Sequence, residues 1–234
     1  MDEFHMLKSF QSKTGYCFRD QQFLRTALTH SSYANEFTLH KIEHNERMEF
    51  LGDAVLELVS SDLLYEKYPE VPEGKLSRKR ASLVCEPALA YCARKIGLGD
   101  YLLLGHGERM GGGNERDSIL SDALEAVIGA IYLDGGLEEA RAFILKYVLN
   151  DIEHQSLFTD SKTILQEMIQ KDHRETLVYE QTGASGPEHN RTFYVDVKLG
   201  EQVIGSGSGR TLKAAGQDAA YQAIQAMKGK KNNQ

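Results

Sequence analysis

Six carboxylates in two short stretches carry the chemical interest of this chain. Residues 45–59 (NERMEFLGDAVLELV) have the apolar content of a buried helix, yet Glu46, Glu49, Asp53 and Glu57 sit among them. Glu49 and Asp53 stand at i and i+4 and share a helical face, with Glu46 one turn earlier. Met48, Leu51, Val55 and Leu58, at 3-4-3 spacing, mark a separate apolar face. The stretch SDALEAVIGAIYL (121–133) is apolar nearly all round from Ala123 to Leu133, which predicts a deeply buried helix. Its only charges are Asp122 and Glu125, at i and i+3 on one face.

An acidic face on one helix is ordinarily a solvated face. Two such helices are a different matter when small residues (Gly52, Ala54, Ala123, Ala126, Gly129, Ala130) let them pack closely. Like charges on meeting faces repel, and a buried lone carboxylate costs several kcal/mol. A divalent cation between the faces resolves the conflict. The donors on offer are all oxygen, with no histidine or cysteine at metal spacing, which points to Mg²⁺ or Mn²⁺ rather than zinc. Four carboxylates around one or two such ions make a phosphodiester-cleaving site, in which a water is activated and charge on the scissile phosphate and leaving oxygen is stabilised.

The elements that must position these groups are helical from about residue 4 to 150. FLRTALTHSSY, ERMEFLGDAVLELVSSDLLYEKY, KLSRKRASLVCE, PALAYCARKIG, SILSDALEAVIGAIYLDGG and LEEARAFILKYVLNDIE each show apolar residues three to four apart. Pro69 and Pro72 close the second segment, Pro87 suits a helix start, and Gly135-Gly136 supply a C-cap. The glycine-rich GHGERMGGGNERD (105–117) reads as a mobile loop. It lacks the GK[ST] of a phosphate-binding P-loop. From about 161 the pattern changes. SKTILQEMIQKD is a short helix, TLVYEQTG, RTFYVDVKLG and QVIGSGSG are alternating strands, and TLKAAGQDAAYQAIQAMK is an alanine-rich helix. The expected architecture is therefore an all-α domain followed by a small α+β domain of α-β-β-β-α order.

Totals bound the reading without deciding it. The chain has 234 residues and a formal net charge of -7. Residues 1–158 hold 17 Lys+Arg against 25 Asp+Glu, and residues 159–234 hold 10 against 9. The acids of the first part either confer solubility or surround metal ions. No apolar run approaches the roughly 18–20 residues of a membrane helix. MDEFHMLKSF begins acidic and without a long apolar stretch, so no signal peptide is expected. Three cysteines (Cys17, Cys85, Cys92) match no zinc or redox spacing and fit buried thiols in a reducing cytoplasm.

HNERMEFLGDAVL closely resembles the signature of the ribonuclease III family. The resemblance continues through THSSYANE (29–36), PEGKLSRKRASLV (72–84) and SILSDALEAVIGAIYLDGG (118–136), and the tail looks like a double-stranded-RNA-binding domain. It implies a ribonuclease III-like helical catalytic domain over 4–153, a linker over 154–160 and an RNA-binding domain over 161–230. The implied activity is Mg²⁺-dependent endonucleolytic cleavage of double-stranded RNA, with Mn²⁺ able to substitute. Ends would be 5′-phosphate and 3′-hydroxyl, and substrates ribosomal RNA precursors and structured messengers in the cytoplasm. Glu49, Asp53, Asp122 and Glu125 fall on the family's acidic cluster. Glu49, Asp122 and Glu125 would be metal ligands, Asp53 would hold a bound water or a ligand in place, and Glu125 would act most directly on the chemistry. Glu46, nearer the subunit interface, and Glu73, near the cleft, are supporting acids. The resemblance also implies a homodimer in which each subunit cuts one strand, leaving a short 3′ overhang. Phe50 and Leu51 are compatible with a partner surface.

For RNA, the resemblance supplies three contact points: Thr163, Gln166 and Glu167 on the first helix of the tail, Pro187 and His189 in the GPEHN loop, and Arg210, Thr211, Lys213 and Gln217 at the start of the last helix. Such a domain reads duplex shape over about 16 base pairs. Many such domains carry two adjacent lysines at the last point and another basic residue further on. This chain has Leu212-Lys213, then Ala214 and Gly216, which predicts weaker binding and a shallower salt dependence. Arg78, Lys79 and Arg80 could contact phosphate or form a solvated face, and His30-Ser31-Ser32 could contact phosphate or cap a helix. The rival to a nuclease is a non-cutting RNA-binding scaffold, which would be expected to lose one of the four acids. A phosphohydrolase of small molecules fits poorly with the RNA-binding tail.

Overall fold

The computed structural model describes residues 3–37, 42–150, 152, 161–172, 176–186, 191–209 and 211–231. The chain divides into two compact units, Met1–Ile152 and Glu153–Gln234. The expected linker, 154–160, lies outside the described residues.

The first unit is helical: α1 (Glu3–Thr14), α2 (Gln21–Ala27), α3 (Ser31–Glu36), α4 (Glu46–Lys67), α5 (Glu73–Leu83), α6 (Glu86–Lys95), α7 (His106–Met110), α8 (Asp117–Gly135) and α9 (Leu137–Tyr147). At its centre α8 is buried nearly all round, from Ile119 to Ile131, while Leu133 reaches solvent. The most extensive packing in the unit is α4 against α8. Two facing glycines bring these helices into backbone contact. A Cβ on Gly52 would fall 2.6 Å from the Glu125 carbonyl carbon, and one on Gly129 would fall 3.1 Å from that of Met48. Interhelical distance follows the size of the side chains at the crossing, so no larger residue fits at either place.

The buried stripe of α4 is Gly52, Val55, Leu56, Val59, Ser60 and Leu64. Of the expected apolar face only Val55 is fully buried; Met48 and Leu51 are half-buried and Leu58 is exposed. The helix turns its glycine side, rather than its leucine side, to α8. The start of α4 is fixed by Asn45, which is buried and donates its backbone N–H to the Thr29 carbonyl at 2.9 Å. Thr29 in turn forms a parallel bridge with Leu103.

Residues 105–117 are not a loose loop. They form α7 and a 3-10 turn at Gly113–Glu115, held by an Arg116–Glu108 ion pair of 2.7 Å and by Arg109 donating to the Leu102 carbonyl. The glycines serve tight contacts: a Cβ on Gly105 would lie 2.7 Å from the Ser32 carbonyl oxygen. At the far end of α8, Gly136 caps the helix at φ +89°. Just before it, Asp134 accepts hydrogen bonds from the Tyr16 hydroxyl at 2.7 Å and from the Arg19 and Asp20 N–H groups at 2.9 Å each. These bonds hold its carboxyl below the usual range against the opposing effect of burial.

The second unit is α10 (Ser161–Asp172), β1 (Leu177–Ser185), β2 (Thr192–Leu199), β3 (Gln202–Gly209) and α11 (Leu212–Lys231). The sheet is an antiparallel meander in the order β1-β2-β3. Val195 and Val197 of β2 meet Leu165 and Ile169 of α10 and Ala215, Ala219, Ala223 and Ile224 of α11. Alternate residues of β3 are Gly205, Gly207 and Gly209, on which α11 lies directly; a Cβ on Gly207 would fall 2.6 Å from the Asp218 carbonyl carbon.

The cysteines form no disulfide, and Cys17 is exposed rather than buried.

Candidate active site

The contact of α4 with α8 brings three of the expected acids to one point. Glu49, Asp122 and Glu125 each offer a carboxylate oxygen, and the three oxygens lie within 4.8 Å of one another. All three residues are half-buried. The spacings explain the convergence. Glu49 lies three residues before Gly52 on α4, and Asp122 and Glu125 lie two turns and one turn before Gly129 on α8, so the glycine contact sets the gap between the acids.

Burial in company with like charge shifts these groups. Glu125 is pushed up to about 8, by desolvation first and then by Asp53, Asp122 and Glu49. Glu49 is raised by desolvation, then by Asp122, Glu46 and Asp53. Asp122 is raised by desolvation, against a hydrogen bond from Ser121 and the influence of His30. No lysine or arginine among the described residues pairs with any of the three. Such a cluster has the chemistry to hold a cation: three oxygen donors, excess negative charge and partial dehydration.

The other expected acids take different places. Asp53 is exposed, one turn beyond Glu49, and acts on Glu49 and Glu125 through its charge. Glu46 is exposed in the first turn of α4, with His44 Nδ1 3.8 Å away. Glu73 does not join the cluster within the chain. It opens α5, accepts from Ser77 Oγ at 2.8 Å and lines a hollow of about 540 Å³ with Leu58, Tyr65, Val71 and Leu76. Glu57 is ion-paired with Arg80 at 2.7 Å, and Arg80 also donates to Ser61. Lys79 lies over the Tyr68 ring and Arg78 donates to the Gly74 carbonyl, so the basic run of α5 is divided among three surroundings. His30 caps α3 by accepting from Ser32 N–H through Nδ1. Its effect on Asp122, some ninety residues away in the chain, carried no signal in the sequence, and neither did the hollow.

In the second unit Thr163, Gln166 and Glu167 are exposed on α10 at a spacing that places them on one face. Thr211 Oγ1 accepts from Ala214 N–H and so caps α11, and Lys213 is exposed in its first turn. Gln217 is half-buried, and its side-chain oxygen accepts from Lys162 N–H at 2.9 Å. Pro187, His189 and Arg210 lie outside the described residues.

Comparison with known proteins follows the same division. A family model described as Ribonuclease-III-like matches residues 20–152, and one described as Double-stranded RNA binding motif matches residues 161–227. The chain is 47% identical over 222 residues to a protein named Ribonuclease 3 from Caldanaerobacter subterraneus subsp. tengcongensis, covering 94% of this chain and 97% of that one. It is 46% identical to Ribonuclease 3 from Bacillus licheniformis over 219 residues, covering 93% and 88%. The nuclease domain of ribonuclease III from Campylobacter jejuni, described as having structural flexibility in a region involved in dimer formation, superposes with a TM-score of 0.57 at 43% identity. That match covers 62% of this chain and 96% of that one.

Proposed function

The chain belongs to the ribonuclease III family and is an endoribonuclease acting on double-stranded RNA, and from that premise we propose that Glu49, Asp122 and Glu125 hold the divalent cation on which cleavage depends. The observation that carries this reading is the convergence of their three oxygens within 4.8 Å, together with a Glu125 carboxyl pushed up to about 8. The donor set is hard oxygen, which suits Mg²⁺, with Mn²⁺ as a substitute.

A cation held there would supply a water made nucleophilic near neutral pH and would stabilise charge on the phosphate. The side chains do the rest. Glu49 and Asp122 fix the position of the site from two helices that cannot slide, because their glycines are in backbone contact. Glu125, the most raised of the three, keeps a proton on its carboxyl at neutral pH while the site is cation-free and releases it on loading. Asp53, exposed at the mouth, orients a water toward the phosphate. Glu46 supports the site from the first turn of α4, whereas Glu73 stands apart from it within this chain and would support only a site completed by a second subunit. The products are 5′-phosphate and 3′-hydroxyl ends.

Two features support a homodimer. Phe50 is 79% exposed near the start of α4, and the apolar hollow lies beside the later turns of the same helix. In a two-fold dimer an exposed ring and an apolar hollow on one face satisfy each other twice. One acidic cluster per subunit then cuts each strand, which gives a staggered break. The RNA is gripped by Thr163, Gln166 and Glu167 on α10, by Lys213 and Thr211 at the start of α11, with Gln217 behind them, and by Pro187, His189 and Arg210. No helix among the described residues is long and apolar enough to cross a membrane. Ribosomal RNA precursors and structured messengers in the cytoplasm are the proposed substrates.

The test is cleavage of a long perfect RNA duplex with Mg²⁺ by the natural chain and by Glu125→Gln, with a gel shift of both. We expect the natural chain to cut, and the variant to bind while cutting on the order of 10³-fold more slowly. A variant that cuts at the natural rate would remove Glu125 from the mechanism.

A further inference from the structure

The phosphate-binding end of α11 is short of cations in its own sequence. Where many such domains have a second lysine and a later basic residue, this chain has Leu212, Ala214 and Gly216. The structure shows what occupies the space at Gly216. A Cβ placed there would fall 2.5 Å from Lys162 Cε and nearer still to Nζ. A lysine from α10 therefore lays its ammonium where a side chain at position 216 would be.

That ammonium is held in place from two sides. Its Nζ lies 4.4 Å from the centroid of the Tyr179 ring on β1. Its own backbone N–H is bound by Gln217, the residue following Gly216. Tyr179 stays a neutral ring over the accessible pH range, since burial pushes its hydroxyl up to about 12. No carboxylate among the described residues pairs with Lys162. The placement is costly for the fold, because a cation beside the opening turns of a helix opposes the helix dipole. An anion there would be drawn by Lys162 and Lys213 together, with the positive end of the α11 dipole behind them.

We propose that Lys162 is a phosphate-contacting residue of the RNA-binding unit, supplying from α10 the charge that α11 lacks at position 216. This rests on the reading of that unit as an RNA-binding domain. It also revises the expectation drawn from Leu212 and Gly216: the unit has one more phosphate contact than the sequence of α11 alone suggests.

The experiment uses the full chain carrying Glu125→Gln, so that the duplex stays intact, and titrates a perfect RNA duplex over a range of salt concentrations. Lys162→Met keeps an apolar stem against Tyr179 and removes the charge. It is expected to bind several-fold more weakly at moderate salt and to lower the slope of log K against log salt by about one. Lys162→Arg should keep the slope, and Lys162→Met with Gly216→Lys should restore it. An unchanged slope in a folded Lys162→Met protein overturns the inference and leaves Lys162 as a packing strut. Should that variant fail to fold, amine-reactive labelling of the unsubstituted lysines decides: duplex must protect Lys162, and equal labelling with and without duplex overturns the assignment. If the Glu125→Gln chain with Lys162 intact binds no duplex at all, the reading of the whole unit falls and this inference with it.

Discussion

The α4–α8 contact in the first unit and the β3–α11 contact in the second are built alike and used differently. Both rest on glycines whose missing side chains bring backbones together, Gly52 and Gly129 in one and Gly205, Gly207 and Gly209 in the other. Across α4–α8 the close approach crowds three carboxylates into a half-dry space, so packing and chemistry depend on the same few residues. Across β3–α11 it yields only a dense platform, and the groups proposed to meet RNA stand outside it on α10 and at the start of α11. A change in packing should therefore be a change in catalysis in the first unit and merely a change in stability in the second.

The largest effect expected from breaking this comparison is at Gly52. Gly52→Ala must push α4 away from the Glu125 backbone, which costs about 1–3 kcal/mol as overpacking and separates Glu49 from its partners. Displacement of the order of 1 Å in a reacting site is worth roughly 10²-fold in rate. Single-turnover cleavage should show at least that loss while duplex binding holds. Gly207→Ala meets a backbone just as closely, yet should lower the melting point of the second unit and leave cleavage by the surviving folded protein within a few-fold. If both variants lost cleavage equally at a temperature where both are folded, the contrast would be gone.

A smaller effect comes from proton linkage. Glu125, Glu49 and Asp122 have raised folded pKa values. A carboxyl raised on folding binds its proton more tightly in the folded state, so its stabilising contribution is complete below the ordinary carboxylate pKa. It is lost as pH rises through the folded value, about 8 for Glu125. Cation-free protein should thus melt at falling temperature from about pH 5 to 8, and saturating Mg²⁺ should remove most of that slope. Calorimetry that resolves the two units would place the slope in the first; finding it in the second would contradict the comparison.

Smaller again is Phe50→Asp, which should shift the sedimentation of the protein toward the monomer without unfolding it, since Phe50 is not part of its own chain's core. The smallest is Thr211→Ala, which removes a helix cap worth about 1 kcal/mol and should leave the salt dependence of binding untouched.

Much of this was legible in the sequence because local spacing encodes it. The i, i+4 pair on α4, the i, i+3 pair on α8 and the small residues between them foretold two helices meeting over acids. What local spacing does not encode is which partner an apolar stripe is meant for. Leu58 fits the 3-4-3 pattern of a core face, yet it is exposed and lines a hollow, because α8 takes the glycine side of α4 instead. The glycines of residues 105–117 misled for a related reason. In isolation they suggest a mobile loop, whereas here Gly113 admits the side chain of Glu108 within the segment and Gly105 admits the carbonyl of Ser32, a contact that exists only once the helices have assembled. Lys162 escaped notice because its importance depends on an absent side chain in another helix.

Asp134 has a consequence for how the protein comes into being. The groups it binds, from Tyr16 to Asp20, precede it by up to 118 positions. During synthesis at about 5–20 residues per second, the early segment emerges roughly 6–24 seconds before its anchor is made. Through that interval Tyr16 and Phe18 have only each other's rings and Gln11 of α1 to pack on, so the anchor of the opening stretch to the rest of the nuclease unit forms only after α8 has left the ribosome.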